Sequence, residues 1–327
     1  MTPSRRAVLE RVGMTVTMAT VASAGAATAA TQESADDALP AYSQWLTIDD
    51  GSLEFAFVDW ATLEAYVRDD LETADPDETV PAAYEADPMI APVSEGALST
   101  YLFVGLTLGQ FRLGGLLDDG ALESSVEGLL RTTDVFVVTG QIDPAAIDEQ
   151  VTAEPEAEFI RQLERTAEID GYDVYTPVAD DTDAAIAVGD EALVIATGED
   201  VDTADDPRAG LDRAIEASTG TVDRATDSSE AFAWTLERAG DGDVVVGQYG
   251  DGGALVDFAS DGLEDAESIV SSLAVEDEET STGDFAAVID DPDTATLEAV
   301  LGASADERSL DIADDRVTAT GTWRELD

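Results

Sequence analysis

Chemistry in this chain would have to be done with carboxylates. Asp180-Asp181-Thr182-Asp183 and Asp290-Asp291-Pro292-Asp293 are dense acidic clusters of the kind that opens a calcium loop. Neither run has the glycine at the sixth position of an EF-hand loop, so each reads as a solvated turn and the metal ligands stay unassigned. Acid pairs recur along the whole chain and single out no general acid and base. No Asp-Thr-Gly triplet, nucleophile elbow, P-loop or dinucleotide fingerprint occurs. Trp45, Trp60, Trp234 and Trp323 have the rings to stack on a sugar. They lie at element boundaries, where an indole reads first as a core anchor.

The missing residue types exclude more than the present ones assign. The chain has no Cys, His, Lys or Asn. That removes disulfides, thiol nucleophiles, a Ser-His-Asp triad, ordinary zinc sites, Schiff-base and P-loop lysines and N-glycosylation. No catalytic residue and no cofactor is expected. The two functional readings left are a binding or structural protein and a hydrolase using carboxylates, with or without a divalent cation.

Charge defines the solvent. The 327 residues carry 73 acids against 15 bases, all Arg, for a net charge of −58. At low ionic strength that charge strains any compact state by self-repulsion. At roughly 1 M salt the Debye length is about 3 Å, and most of the repulsion is screened. The sequence therefore reads as salt-adapted, with hydrated cations as its counterparts and phosphate backbones repelled, so nucleic acid is not an expected partner. An acidic disordered chain is disfavoured, because 44% of the residues are apolar and fall in helix-like and strand-like periods.

The N-terminus reads as an address. Ser4-Arg5-Arg6-Ala7-Val8-Leu9 is a twin-arginine pattern, Val12 to Ala29 is weakly apolar, and Ala27-Thr28-Ala29 is a small-x-small cleavage site. Arg5, Arg6, Leu9, Ala27 and Ala29 are the signal residues, and the export machinery is the expected partner. Cleavage would remove three Arg and one Glu, a net +2, taking the charge from −58 to −60. The expected location is the cell envelope or the medium, with no stable membrane span after cleavage.

The mature part predicts an α+β fold: antiparallel meanders with helices on one face. A strand at Leu53–Val58 leads to Asp59 as N-cap of a helix. Gly96 to Leu117 is the most apolar stretch, too interrupted to span a membrane and read as a buried helix. Glu123 to Arg131 reads as a helix. Val135 to Val138 is a strand covered on both faces, followed by an Asp143-Pro144 helix start. Ala157 to Ile169 carries Phe159, Ile160, Leu163 and Ala167 at helical spacing. A three-stranded meander follows, with a hairpin at Gly189-Asp190. Further helices are expected at Arg208–Ser218, Ser228–Ala239 and Glu264–Leu273, and strands at Asp243–Tyr249, Phe285–Ile289, Leu310–Ile312 and Val317–Trp323.

Ala61-Thr62-Leu63-Glu64-Ala65 after one strand is echoed by Ala295-Thr296-Leu297-Glu298-Ala299 after another. Duplication of a strand–helix–meander unit and convergence in an Ala/Leu/Glu-rich composition both account for the echo. The expected parts are a signal peptide (1–29), an acidic tether (30–41) and two α+β lobes (42–199 and 200–327), the lobes open to being one continuous domain.

The strand ending near Gly140, Asp143-Pro144, Gly171-Tyr172-Asp173-Val174-Tyr175, Ala187-Val188-Gly189-Asp190 and Ala231-Phe232-Ala233-Trp234 resemble a family of haloarchaeal twin-arginine-exported proteins of unknown function. The resemblance covers Phe55 to Gly250 and is carried by packing and turn residues. It implies fold and habitat, and transfers no catalytic position.

Overall fold

A computed structural model describes residues 39–64, 82–117, 122–155, 157, 159–179, 184–197, 207–253, 255–258, 260–276 and 280–324. The signal residues Arg5, Arg6, Leu9, Ala27 and Ala29, most of the tether and the Asp180–Asp183 cluster lie outside them.

The apolar runs rich in Val, Ile and Ala become the middle of one large sheet. Its strands are β1 (Leu53–Asp59), β2 (Ser125–Thr132), β3 (Phe136–Gln141), β4 (Leu163–Ile169), β5 (Tyr172–Pro177), β6 (Ala184–Val188), β7 (Ala192–Thr197), β8 (Val244–Tyr249), β9 (Ala266–Val275), β10 (Thr280–Ile289), β11 (Glu307–Ala313) and β12 (Arg316–Arg324). They form a 12-stranded antiparallel sheet in the order β11-β12-β10-β9-β8-β1-β2-β3-β7-β6-β5-β4. β1 pairs with β2 on one side and with β8 on the other, so the sheet runs unbroken between the 42–199 and 200–327 parts of the chain. The two edges, β4 and β11, carry exposed Glu164, Arg165, Glu168 and Glu307, Arg308, Asp311, charges that oppose pairing with another chain.

The class is α+β with an antiparallel sheet, as the meanders predict. Helices cover both faces of the sheet rather than one. Along β1, Ala56 and Val58 join one core cluster while Phe55 joins the other; Val244 and Val246 are likewise separated from Val245. The first cluster receives α1 (Ala91–Gln110), α2 (Pro144–Thr152) and α5 (Thr294–Val300); the second receives α3 (Pro207–Ser218) and α4 (Glu230–Ala239). Central strands that are apolar on both sides need cover on both sides. Full burial of one such large side chain contributes about 2–3 kcal/mol.

Helix starts follow their caps. Asp143 accepts from the N–H groups of Ala145 and Ala146, and Asp293 from those of Ala295 and Thr296. The Asp290–Asp293 run is thus a turn and helix cap. Ser229 caps α4 through the N–H of Phe232. Among the described residues no helix is long and apolar enough to cross a membrane.

Three predicted helices are strands. Ala157–Ile169 yields β4, because Asp170 and Gly171, both at positive φ (47° and 89°), close a tight hairpin that pairs Ile169 with Tyr172. Glu123–Arg131 yields β2, in which Leu129 and Leu130 are buried on opposite faces. Glu264–Leu273 yields β9, where paired neighbours on both sides bury Ser268 through Leu273. In each case partners distant in sequence override a local helical spacing.

The Ala61 and Ala295 echoes both place a leucine, Leu63 and Leu297, in the same core cluster. Their strands sit differently: β1 bridges β8 and β2, while β10 pairs with its predecessor β9 and with β12, the strand after next. No duplicated unit is supported.

Two buried carboxylates fasten loops to this frame. Glu54, 3% exposed, accepts from the N–H groups of Gly253 (2.5 Å), Leu255 (3.1 Å) and Val256 (3.4 Å). Asp87, with no exposure, accepts from Met89 N (3.1 Å), Gly302 N (3.1 Å), Ser304 N (2.9 Å) and Ser304 Oγ (2.6 Å), tying the entry to α1 to the turn after α5. Trp323 Nε1 donates to the same Ser304 Oγ at 3.0 Å.

Candidate functional site

An open groove of about 1210 Å³ lies at one end of the central strands, on the face covered by α3 and α4. A row of small residues makes its floor. Gly128 of β2 is paired with Asp59 of β1 on one side and Thr139 of β3 on the other. The glycine is required there: a Cβ on Gly128 would lie 2.8 Å from Thr139 Oγ1 and 2.9 Å from the Phe57 ring. Beside it Gly140, at φ 147°, passes so close to the Ser125 carbonyl that no side chain fits, and the register shifts between Val126 and Gly128.

The 3₁₀ turn Ala41–Trp45 makes one wall. Tyr42 is stacked on Phe57 with centroids 4.3 Å apart and planes at 20°, and its hydroxyl donates to the Gly240 carbonyl at 2.8 Å. Burial, with the Asp241 charge added, pushes the Tyr42 phenol well above its ordinary value, so it stays a neutral donor. Trp45 meets the edge of Tyr172 at 6.4 Å and 87°. Trp45 is 4% exposed, and its buried Nε1 meets no acceptor among the described residues.

Asp59, Glu127, Glu191 and Asp241 stand around this aromatic wall, and among the described residues no Arg lines it. Tyr172 is raised by burial and then by the Glu191 charge. Next to Asp241, two further carboxylates lie above their ordinary range, and neither lines the groove. Asp243 is raised by burial, against the Val275 N–H it accepts from at 2.6 Å, with Asp59, Glu276 and Asp241 adding to the rise. Asp284 is raised by burial and by Asp241. Among the described residues no group of three or more acids is placed to hold a metal ion.

The tryptophans do not form one surface. Trp45 belongs to one core cluster, Trp60 and Trp323 to the other, and Trp234 lies under Arg316, whose guanidinium carbon is 4.9 Å from the ring centroid. Tyr172 and Tyr175, close in sequence, point to opposite faces of β5. Tyr175 packs in the first cluster and donates to Asp148 Oδ1 at 2.8 Å. Sequence reasoning missed the groove, since its wall and floor come from residues 41–45, 57–59, 127–128, 139–141 and 240–242. The small residues Gly128, Gly140, Gly240 and Gly242 were its one signal.

No protein-family model matches the chain, and no curated protein matches it in sequence. Two solved structures are similar over most of its length, both of the protein TP0453. Crystal form III is 8% identical with a TM-score of 0.39, covering 86% of this chain and 93% of that one. Crystal form I is 7% identical with a TM-score of 0.41, covering 86% and 92%. Likeness at that level carries no argument about fold or function.

Proposed function

We propose that this is an exported, salt-adapted acidic protein of a haloarchaeal cell envelope that acts by binding, through the groove beside Tyr42 and Phe57. Export rests on Arg5-Arg6, Leu9 and the Ala27-Thr28-Ala29 site, and salt adaptation on the charge of −58. The binding role is carried by one observation: an open concavity whose aromatic wall is held in place by buried contacts before any ligand arrives.

The alternative, an extracellular hydrolase, is favoured by the raised Asp243 and Asp284 beside Asp241. Both lie outside the groove lining, which is why binding is preferred. A thermal-shift screen of small molecules in molar KCl tests the proposal, with the mature wild type beside Gln141→Trp, an exposed, uncharged position at the groove mouth. Compounds that raise the midpoint of the wild type and not of the variant support a groove site. Equal shifts in both, or turnover of a compound abolished by Asp243→Asn, contradict it.

A further inference from the structure

Resting on the groove reading, we infer that its ligand is an organic cation with an apolar periphery, of the alkylated or quaternary ammonium class. Charge alone does not single out such a ligand, because carboxylates cover this molecule and hydrated inorganic cations satisfy them everywhere. In molar salt the Debye length falls to about 3 Å, so the long-range pull of the rim acids is lost and contact interactions decide what binds.

The groove offers two kinds of contact together. Phe57, only half-buried, presents ring surface at the wall, backed by the buried Tyr42 ring with centroids 4.3 Å apart. Asp59, Glu127, Glu191 and Asp241 stand around it, with no competing Arg among the described residues. A small inorganic ion gains nothing from the rings that its hydration shell does not already supply. A weakly hydrated alkylammonium gains from ring faces and from carboxylates at once.

The test uses choline chloride and its uncharged carbon isostere, in which a quaternary carbon replaces the nitrogen. Each is titrated by calorimetry into the mature protein in molar KCl. Saturable choline binding is expected, weakened roughly tenfold for the isostere and for Phe57→Leu. A second variant, Glu127→Gln with Glu191→Gln, alters two exposed side chains and leaves the core intact; it too should weaken choline. Equal binding of choline and isostere, lost in Gln141→Trp, would overturn the cation class and leave the groove reading standing. Absence of choline binding overturns the cation inference. The groove reading fails with it only if no compound of the thermal-shift screen distinguishes wild type from Gln141→Trp.

Discussion

The ring of Tyr42 lies 4.3 Å from that of Phe57, nearly parallel at 20°, while its hydroxyl is spent on the Gly240 carbonyl at 2.8 Å. The two halves of this side chain therefore do separate work: the ring builds the groove and the hydroxyl anchors it. Tyr42→Phe should cost about 1 kcal/mol of stability by leaving a buried carbonyl unmatched, and should leave groove ligands bound. Tyr42→Ala should abolish that binding. Urea titrations in molar salt and a binding isotherm on each variant separate the two effects.

Asp87 is a buried acceptor for four donors, two of them from Ser304. Asp87→Ala strands those donors away from water and should destabilise the fold by about 3 kcal/mol or more. Asp87→Asn, which keeps the shape and one acceptor oxygen, should fall between alanine and wild type. Chemical denaturation in molar KCl measures the ranking; an alanine variant as stable as wild type would remove the clamp from the account.

Burial raises Asp284 and Asp243 in the folded chain, so each holds its proton at a pH where the unfolded chain has released it. In that window the unfolded state binds fewer protons, and stability falls as pH rises through it. The penalty is absent below the ordinary carboxylate value and complete above the raised folded one. Asp284→Asn should therefore raise the unfolding midpoint at neutral pH. The advantage should vanish as pH drops into the ordinary carboxylate range. Midpoints measured against pH for both proteins check the sign.

Much of the architecture was legible in local patterns. Asp143-Pro144 announced α2, the apolar run from Val135 to Val138 announced a strand buried on both faces, and Gly189-Asp190 announced the β6–β7 hairpin. What failed had long-range causes. Leu163 to Ile169 has helical spacing, yet pairing with Tyr172–Pro177 makes it an edge strand. The groove was less legible still, because no local spacing brings Tyr42 onto Phe57 or Gly240 beneath the Tyr42 hydroxyl. The signal residues Arg5, Arg6, Leu9, Ala27 and Ala29 lie outside the described residues, and the export address stays a proposal from sequence.

Cut after Ala29 as proposed, the chain would carry −60 charges, and it should hold its fold only where those charges are screened. Far-ultraviolet circular dichroism should report loss of helix and strand as KCl falls from molar to millimolar. A cooperative thermal transition retained in millimolar salt would sink the salt-adaptation proposal.

The most direct measurement for the binding account is release of a resident ligand. Mature wild type and Gln141→Trp are purified side by side in molar KCl from native-like cells, unfolded, and their small-molecule fractions compared by mass spectrometry. The account predicts a compound present in near-stoichiometric amount with the wild type and depleted from the variant. The same compound, added back to refolded wild type, should raise its midpoint. Identical fractions from the two proteins, with no compound that binds the refolded wild type, would contradict it.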